Sequence, residues 1–326
     1  MARTITVPRS TEDAVSLGRR GWAARRRPSR RGEQLWAYLM VAPVTIGLSV
    51  FYLWPIVQTF YYSFTKSGPF GGHEWIGAAN YRSLVNEPSV GQSVMNTLLY
   101  TGIQLAGIPL AVMVAALLNQ RRLRGRSVYR AVYFLPVVTM PVAVAMLWRW
   151  IYDGEFGLLN HLLSKVGIEG QHWASDPSIA LYGLAAIGIW MSLGYNMVIF
   201  LAGLQGIPTE YYEAATMDGA GPMRMFFRIT VPLLSPSIFF ATVLTVINSL
   251  QMFDLAYMMM STPGGAAGTA NPALPRVRTI SYLFYQKAFV EHDIGFGAAV
   301  AFVLVGFILL MTFVQFRLQK RWVHYA

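Results

Sequence analysis

The chain has 326 residues, of which 55% are hydrophobic and 13% charged, with no cysteine and a mean hydropathy of +0.43. Soluble chains carry about a quarter charged residues, so a single water-soluble core is excluded, as are disulfides, thiolate metal sites and a cysteine nucleophile. A net charge of +11 would suit nucleic acid, but the Lys and Arg gather in short stretches beside apolar runs, which argues against a nucleic-acid partner and fits the positive-inside pattern of membrane proteins.

Residues 1–34 hold nine of the 26 Lys and Arg and show no periodicity. They are expected to form a cytoplasmic Arg-rich arm, partly disordered and able to touch anionic membrane lipid. An Arg-rich start also fits a signal peptide, twin-arginine included. The apolar stretch behind it exceeds the 7–15 residues of a cleaved segment and lacks a small-residue cleavage site, so an uncleaved first span is expected.

The rest, 35–326, reads as one all-α integral membrane domain. Six runs, at 35–61, 97–118, 131–151, 179–204, 233–257 and 294–316, are long enough to cross a ~30 Å hydrocarbon layer. Counted by alternate sides, nineteen Lys and Arg lie on the side of the N-terminus, including Arg121, Arg122, Arg124, Arg126 and Arg130, and six on the other. That imbalance places both termini and the 205–232 segment in the cytoplasm, as expected of a six-span inner-membrane protein. Trp54, Trp148, Trp150, Tyr152 and Tyr257 fall near outer span ends, where amphipathic rings settle. The outer segment 258–293 contains Pro263, Gly264, Gly265 and Pro272 and reads as loop.

No phosphate-loop, zinc-protease or nucleophile-elbow motif is present. None of the five His lies within a span, and Asp254 is the one acidic residue in any of them. An intramembrane transferase or an ion-coupled carrier would place several ionisable groups at membrane depth. The chain is therefore expected not to be an enzyme, to hold no cofactor or metal, and to draw its energy from another subunit.

The cytoplasmic segment 205–232 is the candidate handle. Pro208 and Thr209 fit a helix start, and Glu210 suits the positive end of a helix dipole. Glu213, Ala214 and Ala215 continue that short helix, Gly219 can end it and Pro222 can open the next, with Gly219 and Gly221 as hinges. Together with Asp218, Ala220, Phe226 or Phe227, Ile229 and Pro232, these residues resemble the EAA motif of binding-protein-dependent ABC importer permeases. The resemblance extends from residue 35 onward. Tyr62-Ser63-Phe64-Thr65, Asn80-Tyr81, Asn96-Thr97, Phe134-Leu135-Pro136, Gly157-Leu158-Leu159-Asn160 and Gly194-Tyr195-Asn196 are similar to the maltose-type carbohydrate branch.

That resemblance implies a type I permease fold working by alternating access. It implies a second homologous permease subunit, two ATP-binding subunits that hold the ATP and Mg, an external substrate-binding protein or lipoprotein, and a sugar substrate. It assigns ATPase coupling to Glu213, Ala214, Ala215, Asp218, Gly219 and Pro232. Two departures stand out: an insertion at about 263–278, and the absence of the extra spans and outer domain of the enteric maltose permease.

A sugar site needs neutral donors, acceptors and rings. Asn248, Gln251 and Asp254 fall at three-residue spacing along one broad face of span five, and Trp190, Ser192, Tyr195 and Asn196 lie at similar depth in span four. The same amides and hydroxyls fit interhelical glue equally well. Asp254 fits either an outer gate or a substrate contact. Arg149 is expected to snorkel to the headgroups. A permease for a sugar-derived solute such as a glycerophosphodiester is the alternative within the family, and a secondary carrier the alternative outside it.

Overall fold

The computed structural model describes residues 30–67, 72–120, 123–261 and 271–323. The expected arm 1–34 and the first half of the 263–278 insertion lie mostly outside them, as do Arg121 and Arg122. By contacts the chain divides at Gln58. In the first unit, helix α1 (Gln34–Tyr62, its last residues belonging to the second unit) has none of its apolar window buried, and Leu35, Phe51 and Trp54 are exposed. A helix apolar on every side and uncovered by protein is one that lipid solvates.

The second unit begins with a small antiparallel hairpin, β1 (Thr65–Ser67) and β2 (His73–Trp75), with Thr65 opposite Trp75. Helix α2 (Ala79–Asn86) and the long α3 (Pro88–Leu118) follow. Helix α3 packs most extensively against α7 (Ala180–Gln205). Small residues make this possible: Ala111 and Ala115 of α3, and Ala180 and Ala185 of α7, are fully buried and let the backbones close around Ile187, Met197 and Phe200. Lipid is as apolar as leucine, so such close packing rather than hydrophobic burial holds membrane helices together.

Among the described residues, four helices are long and apolar enough to cross a membrane: α1, α3, α7 and α14 (Ile294–Trp322). Two of the six expected spans are not continuous. Span three consists of α4 (Arg126–Val138) and α5 (Pro141–Ile151), bent by 102°. Pro141 has no N–H to donate and drives Met140 to ψ 132, out of the helical region. Span five is bent by 66° between α9 (Pro222–Leu233) and α10 (Ser235–Leu250), where Pro236 sits in the first turn of α10. It then stops early: Gln251–Phe253 is unwound, and a separate α11 (Asp254–Met260) begins. The remaining helices are α6 (Leu158–Ser164), α8 (Thr209–Met217), α12 (Leu274–Val277) and α13 (Ile280–Tyr285), the last running into a π-helical turn at Gln286–Val290.

Buried amides and hydroxyls fasten the irregular stretches. Asn80 donates to the Ser63 and Thr65 carbonyls at 2.9 and 3.0 Å, and Tyr81 to the Ser63 hydroxyl at 2.8 Å. Asn96 donates to the Pro275 and Arg278 carbonyls, both at 2.9 Å, and Thr97 accepts from the Ile280 N–H at 3.0 Å. Thr279 caps α13 by accepting from Tyr282 N–H, while its hydroxyl donates to the Met252 carbonyl at 2.7 Å. Asn160 binds the 154–171 loop to itself and accepts from the Trp173 indole at 2.8 Å.

Candidate functional site: a helical hairpin and a polar cavity

Two features answer to the sequence expectations. The first is α8 and the turn after it. Glu210 occupies the first helical turn, no residue of α8 is buried, and Glu213, Ala214, Asp218 and Gly219 are exposed. The chain leaves α8 through Gly219 at φ +74, a left-handed conformation that only glycine adopts without cost. Gly221, expected as a second hinge, has an ordinary φ of −71 and simply precedes α9. Pro232 lies in the last turn of α9, after a π-helical turn at Phe226–Thr230.

Two side-chain ties join the two arms, a 3.1 Å hydrogen bond between the Tyr212 and Thr230 hydroxyls and a longer one, 4.0 Å, from the Thr216 hydroxyl to the Met225 sulfur. Beside it lies a cavity of about 900 Å³ whose wall includes Glu213, Thr216, Arg126 and Arg130. Among the described residues the one ion pair is Lys287–Glu291, so Glu213 has no such partner among them.

The second feature is a cavity of about 510 Å³ among α3, α7, α10 and α11. Of the expected path residues, Tyr195, Asn196, Asn248, Gln251 and Asp254 all line it. The helical-face argument holds for Asn248 and Gln251 but not for Asp254, which opens a new helix after the break at Gln251–Phe253 and still reaches the same cavity. Trp190 is not part of the wall; its ring packs edge-on against Trp148 at 5.6 Å.

Tyr100, Gln104, Thr245 and Ser249 also line the cavity and were not anticipated. Their signal was present in the sequence. Gln104 is the one amide within span two, and Tyr100 lies one turn before it on the same face. Gln104 donates to the Ala185 carbonyl at 3.0 Å. Gly188 makes room for both, because a Cβ there would collide with the Gln104 amide and the Tyr100 hydroxyl.

Arg149, expected to snorkel, has a partner within the protein. Its guanidinium donates to the Ser261 carbonyl just beyond α11, in a separate pocket with Trp150, Asp153 and Tyr257. A cation at a helix C-terminus satisfies carbonyls left over there, so Arg149 ties the end of α5 to α11.

Residues 107–324 match the family model of binding-protein-dependent transport system inner membrane components. The chain is similar to a probable ABC transporter permease protein, YesP of Bacillus subtilis, with 35% identity over 93% of this chain and 96% of that protein. Similar too are the arabinooligosaccharides permease AraP of the same organism (32%; 86% and 88%) and the sn-glycerol-3-phosphate permease UgpA of Yersinia pestis (33%; 91% and 99%). A solved bacterial alginate ABC transporter, in complex with an alginate pentasaccharide-bound periplasmic protein, contains a chain that superimposes with a TM-score of 0.78 at 21% identity, covering 89% of this chain and 96% of that one; this shows a shared fold. The helices too long and apolar for water, the two bent spans and the exposed hairpin thus have one common explanation: the chain belongs to the binding-protein-dependent ABC importer permeases of the inner membrane.

Proposed function

We propose that this permease forms half of the translocation path of an ATP-driven sugar importer. The observation that carries the reading is the cavity wall of uncharged donors and acceptors, Gln104, Asn196, Asn248 and Gln251 among them, gathered at membrane depth where each polar group is costly unless used. A sugar satisfies such groups from both sides, as donor and acceptor. The arabinooligosaccharides relative supports this substrate class.

In this reading Glu213, Ala214, Ala215, Asp218, Gly219 and Pro232 form the contact with an ATPase subunit. Small side chains permit close approach, and an exposed helix of this chain is left for a partner to cover. Two ATPase subunits, a second homologous permease and an external binding protein complete the assembly, with both termini cytoplasmic in accord with the distribution of Lys and Arg. ATP and Mg belong to the ATPases, and motion of the spans about the cavity gives alternating access.

Mild-detergent purification of the tagged chain from its native membrane, followed by mass spectrometry, tests the assembly. A nucleotide-binding subunit, a second permease and an exported binding protein are expected together. A chain recovered alone that drives uptake from an ion gradient would instead make it a secondary carrier. A second reading, import of a glycerophosphodiester, is favoured by the 33% identity to the Yersinia pestis sn-glycerol-3-phosphate permease. Ligand screening of the recovered binding protein separates the two.

A further inference from the structure

Within the sugar-import reading, on which this step rests, the cavity carries a feature that bears on the charge of the substrate. Of its seventeen lining residues, sixteen are uncharged at neutral pH and the other is Asp254; no Lys, Arg or His is among them. Asp254 is exposed rather than buried. Three cations of neighbouring segments are engaged elsewhere: Arg149 donates to the Ser261 carbonyl, Arg278 to Gln286 Oε1 at 3.2 Å, and Lys287 pairs with Glu291 at 2.8 Å. Gln251, Met252 and Phe253 are unwound immediately before it, so the break in span five is what turns this carboxylate into the cavity rather than along the helix.

We infer that Asp254 is a specificity-determining residue that restricts this permease to uncharged glycans and rejects phosphate esters and uronates. An ionised carboxylate is an acceptor only, able to take hydrogen bonds from two neighbouring hydroxyls of a neutral sugar. A phosphate or uronate offers it no proton, and at hydrogen-bond range, well inside the screening length of physiological salt, two like charges repel. Recognition of such anions calls for the donor fork of arginine or the ammonium of lysine, and this wall supplies neither. The distinction separates the chain in substrate from its sn-glycerol-3-phosphate relative despite their sequence similarity.

The test uses the whole importer, permease pair with ATPases, in nanodiscs without the external protein, so that the external protein's own selectivity is removed. Saturation-transfer NMR would be recorded with three neutral trisaccharides (maltotriose, arabinotriose, xylotriose), with trigalacturonate and with sn-glycerol 3-phosphate. In the native protein at least one neutral glycan is expected to exceed both anions by about tenfold in apparent affinity. In Asp254→Asn the ratio of anion to neutral binding should rise at least about fivefold, whereas Asp254→Glu, which keeps the charge, should discriminate as the native protein does. Equal binding of an anion by the native protein, or an unchanged ratio in Asp254→Asn, would overturn the charge filter and leave sugar import standing. Binding of the anions alone would overturn both, and silence from every probe would count against the carbohydrate reading itself.

Discussion

The 209–221 hairpin and the 271–283 segment are both irregular connections between apolar helices, and they are finished in opposite ways. In 271–283, Ala273, Val277, Ile280 and Leu283 are buried, and Asn96, Thr97 and Thr279 tie the backbone to α3 and to the broken end of span five. In α8 nothing is buried and the side chains bond almost wholly within the hairpin, as in the 2.7 Å bond from Thr216 to the Tyr212 carbonyl. The chain closes one connection with its own groups and leaves the other uncovered. A connection completed from within sets the geometry of the cavity beside it, whereas one left open is shaped for another subunit.

That contrast breaks most readily at Gly219. Because its Cβ position meets nothing within 4 Å, Gly219→Val should leave folding and membrane insertion intact while straining the backbone at φ +74, a cost of roughly 1–2 kcal/mol. Glu213→Lys reverses the charge of an exposed group. If the hairpin transmits ATPase closure, ATP-driven uptake in proteoliposomes should fall by about 5–150-fold for either change, the range of typical coupling energies. Native-like uptake in the double variant, with a normal gel-filtration profile, would remove the hairpin from the mechanism.

The complementary change acts on the closed connection. Asn96→Ala deletes both donors to the Pro275 and Arg278 carbonyls, and a buried acceptor left unpaired costs about 1–3 kcal/mol. Thermal unfolding in detergent should shift down, and amide exchange should accelerate over 275–283 but not over 209–221. Equal acceleration in both would mean that the two connections are coupled after all.

Gly188→Ala probes the cavity with a smaller expected effect. The added methyl collides first with the Gln104 amide and the Tyr100 hydroxyl, the far ends of adaptable side chains. The cost should therefore be about 1 kcal/mol, the low end for overpacking. The readout that matters is a changed apparent affinity for transported substrate, since Gln104 must turn into the cavity or release the Ala185 carbonyl.

Much of this was legible in the residues. Composition and run length located the four long apolar helices of the described residues, and Pro208, Gly219 and Pro222 marked the boundaries of the hairpin. The bends were missed because hydropathy is blind to direction: Pro141 and Pro236 sit inside unbroken apolar runs, and their cost lies in backbone geometry rather than in transfer to lipid. The same blindness placed Asp254 on the helix of Asn248. Tyr100 and Gln104 went unnoticed for another reason. A lone amide in an apolar span is ordinary interhelical glue, and only the packing of α3 on Gly188 turns that face toward the cavity.

The smallest effect belongs to a third connection, the turn at 153–156, which closes on itself through a charge. Asp153 Oδ1 accepts the N–H groups of Phe156 and Glu155 at 2.8 and 2.9 Å, and these bonds hold its carboxyl below the usual carboxylate range, with His172 adding a weaker pull. Hydrogen bonding to the charged form lowers a pKa, so the turn gains stability that is fully present above the ordinary Asp value of about 3.9 and is lost as pH falls through the lower, folded value. Amide exchange at Glu155 and Phe156, corrected for its intrinsic pH dependence, should therefore stay slow from about pH 7 down to that window and speed up only within it. Asp153→Asn keeps an acceptor oxygen but cannot titrate, and its exchange should show no such step. A step that survived in Asp153→Asn would assign the pH response to Asp176 and leave Asp153 as a neutral turn former.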